Sequence, residues 1–166
     1  MGLAACGGED EKGEGRPLVC NDEQEDFEVP TYEHVQGRQD YEEKPPVGGD
    51  HNQCWTDWGV HEKAAAAENW VHNLEHGGIA FLYNCKDGCP KERKQLEALY
   101  DESTRPFALI TPYADMESRF AVVAWGHRIV TDCYDEELFL RFYDEYAHKG
   151  PEGSPVPPLP RPPQCK

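Results

Sequence analysis

WVHNLEHGGIAFLY, residues 70–83, contains a helix end, a stop and a buried strand within fourteen residues. HEKAAAAENWVHNLEH, residues 61–76, opens with strong helix formers. Gly77-Gly78 then supplies a natural C-terminal stop. GIAFLYNC, residues 78–85, is a short apolar run of the length and composition of a buried strand. The reading fixes a helix-to-strand junction at the glycines. It also places His72 and His76 four residues apart, on one helix face and on neighbouring turns.

The sequence predicts further elements on both sides of this junction. KPPVGGDH, 44–51, is a Pro/Gly-punctuated loop that ends on His51, and CWTDWGV, 54–60, adds two tryptophans. PKERKQLEALYDES, 90–103, reads as a helix with Pro90 in its first turn and Leu96, Leu99 and Tyr100 facing inward. PFALITPY, 106–113, and RFAVVAWGHRIV, 119–130, read as two strands. DEELFLRFYDEYAHK, 135–149, reads as an amphipathic helix with acids in its first turn. The order helix, strand, helix, strand, strand, helix predicts an α+β fold. Its small, mostly antiparallel sheet would be covered by helices in a single disulfide-stabilised domain.

The chain has 166 residues, enough for one domain. Residues 1–28 are acidic and Gly-rich and read as a flexible tether, 29–149 as the globular domain. Residues 150–166 hold seven prolines and read as an extended C-terminal strap. The formal charge of -16 disfavours nucleic acid and anionic lipid headgroups as partners. Much of that acid lies in the tails, where it serves solvation. Leu3-Ala4-Ala5-Cys6 resembles a lipobox, which predicts an exported bacterial lipoprotein held to the cell envelope by a lipid on Cys6. Setting Cys6 aside, six cysteines remain, an even number that allows up to three disulfides in any of fifteen pairings. Cys85 with Cys89 closes a local loop, Cys20 with Cys165 would tie the tails down, and elimination leaves Cys54 with Cys133. No pair has the C-x-x-C spacing of a thiolate metal site.

His72, Glu75 and His76 form the densest chemical cluster, an H-x-x-E-H pattern. Paired imidazoles at this spacing can share one ion, and the same pattern is the inverted zinc-peptidase signature. A surface histidine pair is the plainer alternative. Val71 and Leu74 place the pair beside the core, where buried ring nitrogens need partners and a metal would satisfy one on each. His51, Met116 in TPYADMES and His127 after Trp125-Gly126 are further candidate ligands, whereas His34, His61 and His148 read as peripheral. Trp55, Trp58, Trp70 and Trp125 read as core or rim packing, with an exposed sugar or peptide platform as the alternative.

PPVGGDH, WVHNLEHGGIAFLY, TPYADM and AWGH, in this order, resemble a bacterial family known as domain of unknown function 3105. The resemblance covers about residues 40–145 and implies an exported or membrane-tethered domain, with no established activity. It carries His51, His72, Glu75 and His76 over as the functional set, with Met116 beside them. His127 stands where the family pattern has a basic residue, usually arginine, which counts against it as a ligand. Three histidines (His51, His72, His76) with the Met116 thioether suit copper, above all Cu(I). If a carboxylate or water replaces the thioether, zinc is favoured. The leading expectation is an envelope metal-binding protein that handles or delivers copper, exchanging it with a donor or acceptor protein. In that reading Glu75 orients a ligand from outside the metal's coordination sphere. The alternatives are a zinc hydrolase with Glu75 as general base, and a non-metal interaction module in which the same residues form a hydrogen-bond network.

Overall fold

The junction at Gly77-Gly78 is built as the sequence predicts, in a structure that describes residues 16–85, 89–153 and 165 of the chain; it is a computed structural model. In chain order the elements are β1 (Glu25–Asp26), β2 (Gly59–Val60), α1 (Ala67–Glu75), β3 (Ile79–Tyr83) and α2 (Pro90–Glu97). They continue with β4 (Ala108–Pro112), β5 (Phe120–Ala124), β6 (His127–Thr131) and α3 (Glu136–Tyr146). Helix α1 is shorter than the predicted 61–76 and begins after an extended Ala66. It closes in a Schellman arrangement, with Gly78 N–H donating to the Asn73 carbonyl and Gly77 N–H to that of Leu74. Gly77 takes φ 76°, the left-handed conformation that a side chain resists. The chain turns there directly into β3, all five residues of which are buried.

The sheet runs β1-β6-β5-β3-β4-β2. It is mixed, which corrects the mostly antiparallel sheet expected from sequence. The β1–β6, β6–β5 and β5–β3 pairings are antiparallel, whereas β3–β4 and β4–β2 are parallel. The reason lies in α2, which carries the chain back across the sheet so that β4 runs in the same direction as β3. A second correction concerns 119–130, which is a hairpin and not one strand. Ala124 pairs with His127 across a turn at Trp125-Gly126.

Alternation along the strands sends side chains into two cores. Ile79, Phe81, Ala108, Ile110, Phe120 and Val122 face α2 and α3, meeting Leu96, Leu99, Phe139 and Phe142. Ala80, Leu82, Leu109, Ala121 and Val123 face the other way and meet Trp70, Val71 and Leu74 of α1. Helix α1 is thus pressed flat on the sheet, and its C-terminal turn stands at the edge of the second core. Asp135 caps α3 by accepting from Leu138 N–H.

Among the described residues there are three disulfides, Cys20–Cys133, Cys54–Cys165 and Cys85–Cys89. Only the last matches the expected pairing. The N-terminal segment lies along β6, which brings Cys20 to Cys133 just past that strand, and Cys165 falls to Cys54. Of the segment expected as a tether, residues 1–15, with the lipobox and Cys6, lie outside the described residues. From Arg16 onward the chain runs over the domain surface, largely exposed but attached: Arg16 makes a two-pronged contact with the buried Asp132 carboxylate, and β1 pairs with β6. Of the strap, residues 154–164 and 166 lie outside the described residues. Gly150–Gly153 rest against the end of α1, and Cys165 is buried. Among the described residues no helix is long and apolar enough to cross a membrane. The disulfides point to an oxidising, non-cytoplasmic compartment.

Candidate metal centre

Three parts of the chain converge at the end of α1. Helix α1 supplies His72, Glu75 and His76. The PPVGG loop delivers His51, fully buried, in line with its expected role as the end of a constrained loop. The third part was not anticipated. Residues 33–35 pair with His51 in a short parallel bridge, with Val35 N–H donating to His51 O and His51 N–H to Glu33 O. The bridge sets His34 beside His51, with ring centroids 5.1 Å apart, and His34 stacks on His72 at 4.8 Å. The sequence around His34, PTYEHVQG, has no periodicity or spacing that signals a site, so it read as peripheral. Only the bridge reveals it.

One potential ligand atom each from His34, His51, His72 and Glu75 lies within 4.8 Å of the others. Glu75 Oε2 is 3.1 Å from His51 Nε2 and 3.8 Å from both His34 Nε2 and His72 Nε2. Donor atoms about 2.0–2.1 Å from one tetrahedral ion stand about 3.3–3.4 Å apart, so these separations straddle the required value. His76 lies next door, its Nε2 3.1 Å from His72 Nε2. Met116 is 4% exposed and packs in the same apolar cluster as Val71 and Leu74. A thioether in such a setting is satisfied by hydrocarbon contact alone. His127 sits at the far sheet edge, bonded to Asp26 and stacked on Tyr146. His61 is bonded to the Asp57 carbonyl, and His148 packs on Phe107.

The backbone dictates where the imidazole lone pairs point. His51 Nδ1 lies 2.8 Å from Gly49 O, His72 Nδ1 2.8 Å from Asn52 O, and His76 Nδ1 3.3 Å from Gly153 O. A carbonyl only accepts, so the Nδ1 of His51 and of His72 carries the hydrogen and the Nε2 of each ring faces the cluster. The Nε2 atoms of His51 and His72 and the Glu75 carboxylate oxygen therefore gather at one point, a donor set of the kind that holds a cation. The titration behaviour agrees. Burial drives His72 down to about 4, helped by its neighbours His51 and His76 and opposed by the Asn52 carbonyl and Glu75, so the ring is neutral at pH 7. Burial also pushes His51 down, but its bonds to Glu75 and to the Gly49 carbonyl outweigh this and raise it. Glu75, only 1% exposed, is resisted by burial yet held below the usual carboxylate range by His51 and the neighbouring rings. His51 Nε2 and Glu75 Oε2 are hydrogen-bonded to each other at 3.1 Å.

Trp55 meets His72 and His76 edge-on at 5.1 and 5.7 Å, and Trp125 meets His51 at 6.1 Å. These two tryptophans wall the cluster, while Trp70 lies in the core and Trp58 packs on Phe107. His34, with its side chain 46% exposed, is the most open of the four converging residues.

An α+β fold with histidines and a buried glutamate gathered at one helix end defines the class, a domain with a candidate metal-binding centre. Residues 34–157 match the family described as protein of unknown function DUF3105, and the chain belongs to that family. The match begins at His34 and spans every residue of the cluster. No curated protein and no solved structure matches the chain.

Proposed function

We propose that the protein is a cell-envelope metal-binding protein that holds a divalent transition-metal ion between His34, His51, His72 and Glu75. The observation that carries this reading is the convergence of carbonyl-fixed Nε2 lone pairs on a buried carboxylate oxygen. Three imidazoles and a carboxylate suit borderline ions and not magnesium or calcium. Copper(II) heads the affinity order for such N/O sites, ahead of zinc, so copper remains the leading ion. Its oxidation state shifts from the Cu(I) first expected, because a carboxylate joins the set and Met116 is packed in hydrocarbon. Handling or delivery of the ion fits the partial exposure of His34, which offers a ligand that a donor or acceptor protein can displace. The disulfides and the lipobox-like Leu3-Ala4-Ala5-Cys6 support an exported chain anchored by a lipid on Cys6.

A zinc hydrolase remains as a second reading because of Glu152, which gathers with Glu75 and His76. It offers the downstream acid that the inverted peptidase motif requires. Glu75 tells the two readings apart. As a ligand, Glu75→Gln loses most of the affinity for copper. As a general base, the same variant keeps its metal and loses turnover of peptide or ester substrates. Titration of purified wild type and Glu75→Gln with Cu2+, read by retained metal after desalting, decides between them. A non-metal network predicts no retained metal in either protein.

A further inference from the structure

We propose that Trp125 and Tyr32 form an electron relay from a copper ion in the cluster to the protein surface, so that a peroxide reacting at the ion is discharged at Tyr32. The inference rests on the copper reading of the site and deepens it.

The rings stand in line. His51 is fully buried, Trp125 meets it edge-on at 6.1 Å, and Tyr32 meets Trp125 edge-on at 6.0 Å. Tyr32 is 47% exposed, so the line runs from an enclosed ligand to solvent. Both joints are held by the backbone. Gly126 N–H donates to Val47 O, and a Cβ on Gly48 would fall 3.2 Å from Trp125 Cε2, so the loop that carries His51 lies against the indole. Glu33 N–H donates to the Asp50 carboxylate and Glu33 O accepts from His51 N–H, which ties the residue after Tyr32 to the same loop.

The other wall of the cluster offers no equal route. Trp55 packs on His72 and His76, but its Nε1–H is buried with no acceptor among the described residues. An indole oxidised there has no group to take its proton. A phenol at the surface gives its proton to water, which makes Tyr32 the end point.

The oxidant is a peroxide, and an enediol such as ascorbate supplies the electron that brings the copper to Cu(I). Cu(I) gives one electron to hydrogen peroxide, whose O–O bond breaks to hydroxide and a hydroxyl radical. Trp125 passes a second electron to that radical, which takes up a proton and becomes water. Tyr32 refills Trp125 and releases its phenolic proton to solvent. Copper ends as Cu(II), peroxide as hydroxide and water, and Tyr32 as a phenoxyl radical at the surface. The ligands His51 and His72 are thereby spared oxidation.

The test loads the full chain with Cu2+, reduces it with ascorbate, desalts it anaerobically and adds stoichiometric hydrogen peroxide. Copper content, the freeze-quenched electron paramagnetic resonance spectrum and oxidised residues by peptide mass spectrometry are read on the same samples. Wild type should show a tyrosyl radical, with oxidation mapped to Tyr32. Tyr32→Phe, at an exposed position, should keep its copper, lose the tyrosyl signal and gain oxidation at Trp125 and the ligand histidines. Trp125→Phe should keep its copper and lose oxidation at Tyr32. Copper-loaded wild type without a tyrosyl radical overturns the relay and leaves the metal site standing. An undiminished signal in Tyr32→Phe, or undiminished Tyr32 oxidation in Trp125→Phe, also overturns it. Wild type without copper removes both the site and the relay.

Discussion

His51 and His72 share a neighbourhood and shift in opposite directions, because only His51 is bonded to the Glu75 carboxylate. An incoming ion competes with a proton more strongly at His51, which is raised, than at His72, which burial drives down to about 4. Affinity for Zn2+ should therefore climb as pH rises through and beyond the ordinary imidazole value of about 6.5. It should level off once His51's raised value is passed. Calorimetric titrations across this range provide the check, and a flat affinity would contradict the assignment. The linkage has the opposite sign in the metal-free protein. A raised folded-state value means that His51's contribution to stability is complete below about 6.5 and is lost as pH rises through the raised value. At this scale H-x-x-E-H and the His51 loop were legible, since local spacing announces them. His34 was not, because a parallel bridge between distant segments has no local signature.

Helix α1 and strand β3 owe their junction to two glycines, and the sequence states it openly. Gly77 holds a left-handed conformation inside a Schellman turn, so Gly77→Ala should destabilise the fold by about 1 kcal/mol. Chemical denaturation gives the value; a neutral or stabilising change would show that the turn tolerates a side chain. The same variant should lower metal affinity, because Glu75 ends the helix two residues before Gly77. Other elements were less legible. The 119–130 run is apolar from Phe120 to Trp125 and again at Ile129-Val130, and the short Gly126-His127-Arg128 interruption between them is the turn that makes it β5 and β6. The two-residue strands β1 and β2 are too short for any periodicity and exist only because a neighbour offers hydrogen bonds. The parallel pairing of β3 with β4 follows from where α2 lands, a tertiary fact.

For the whole molecule, the disulfides place the ends of the chain. Cys20–Cys133 and Cys54–Cys165 span 113 and 111 residues, whereas Cys85–Cys89 spans 4. Only the short one could be read from spacing, since the long ones depend on which sheet edge each tail follows. Closing so long a loop restricts the unfolded chain, so a Cys20→Ser/Cys133→Ser double variant should lose about 2–5 kcal/mol of stability. A loss under about 1 kcal/mol in denaturant melts would show that the N-terminal segment adds little. The proposed role of this disulfide-bonded, acidic domain is to hold a transition-metal ion at the end of α1. Its most direct test is the copper retained by purified wild type after loading with Cu2+ and desalting, alongside His51→Ala and His72→Ala. Wild type should retain at least one equivalent, and both variants should lose most of it. Wild type without copper, or variants that keep as much as wild type, would contradict it.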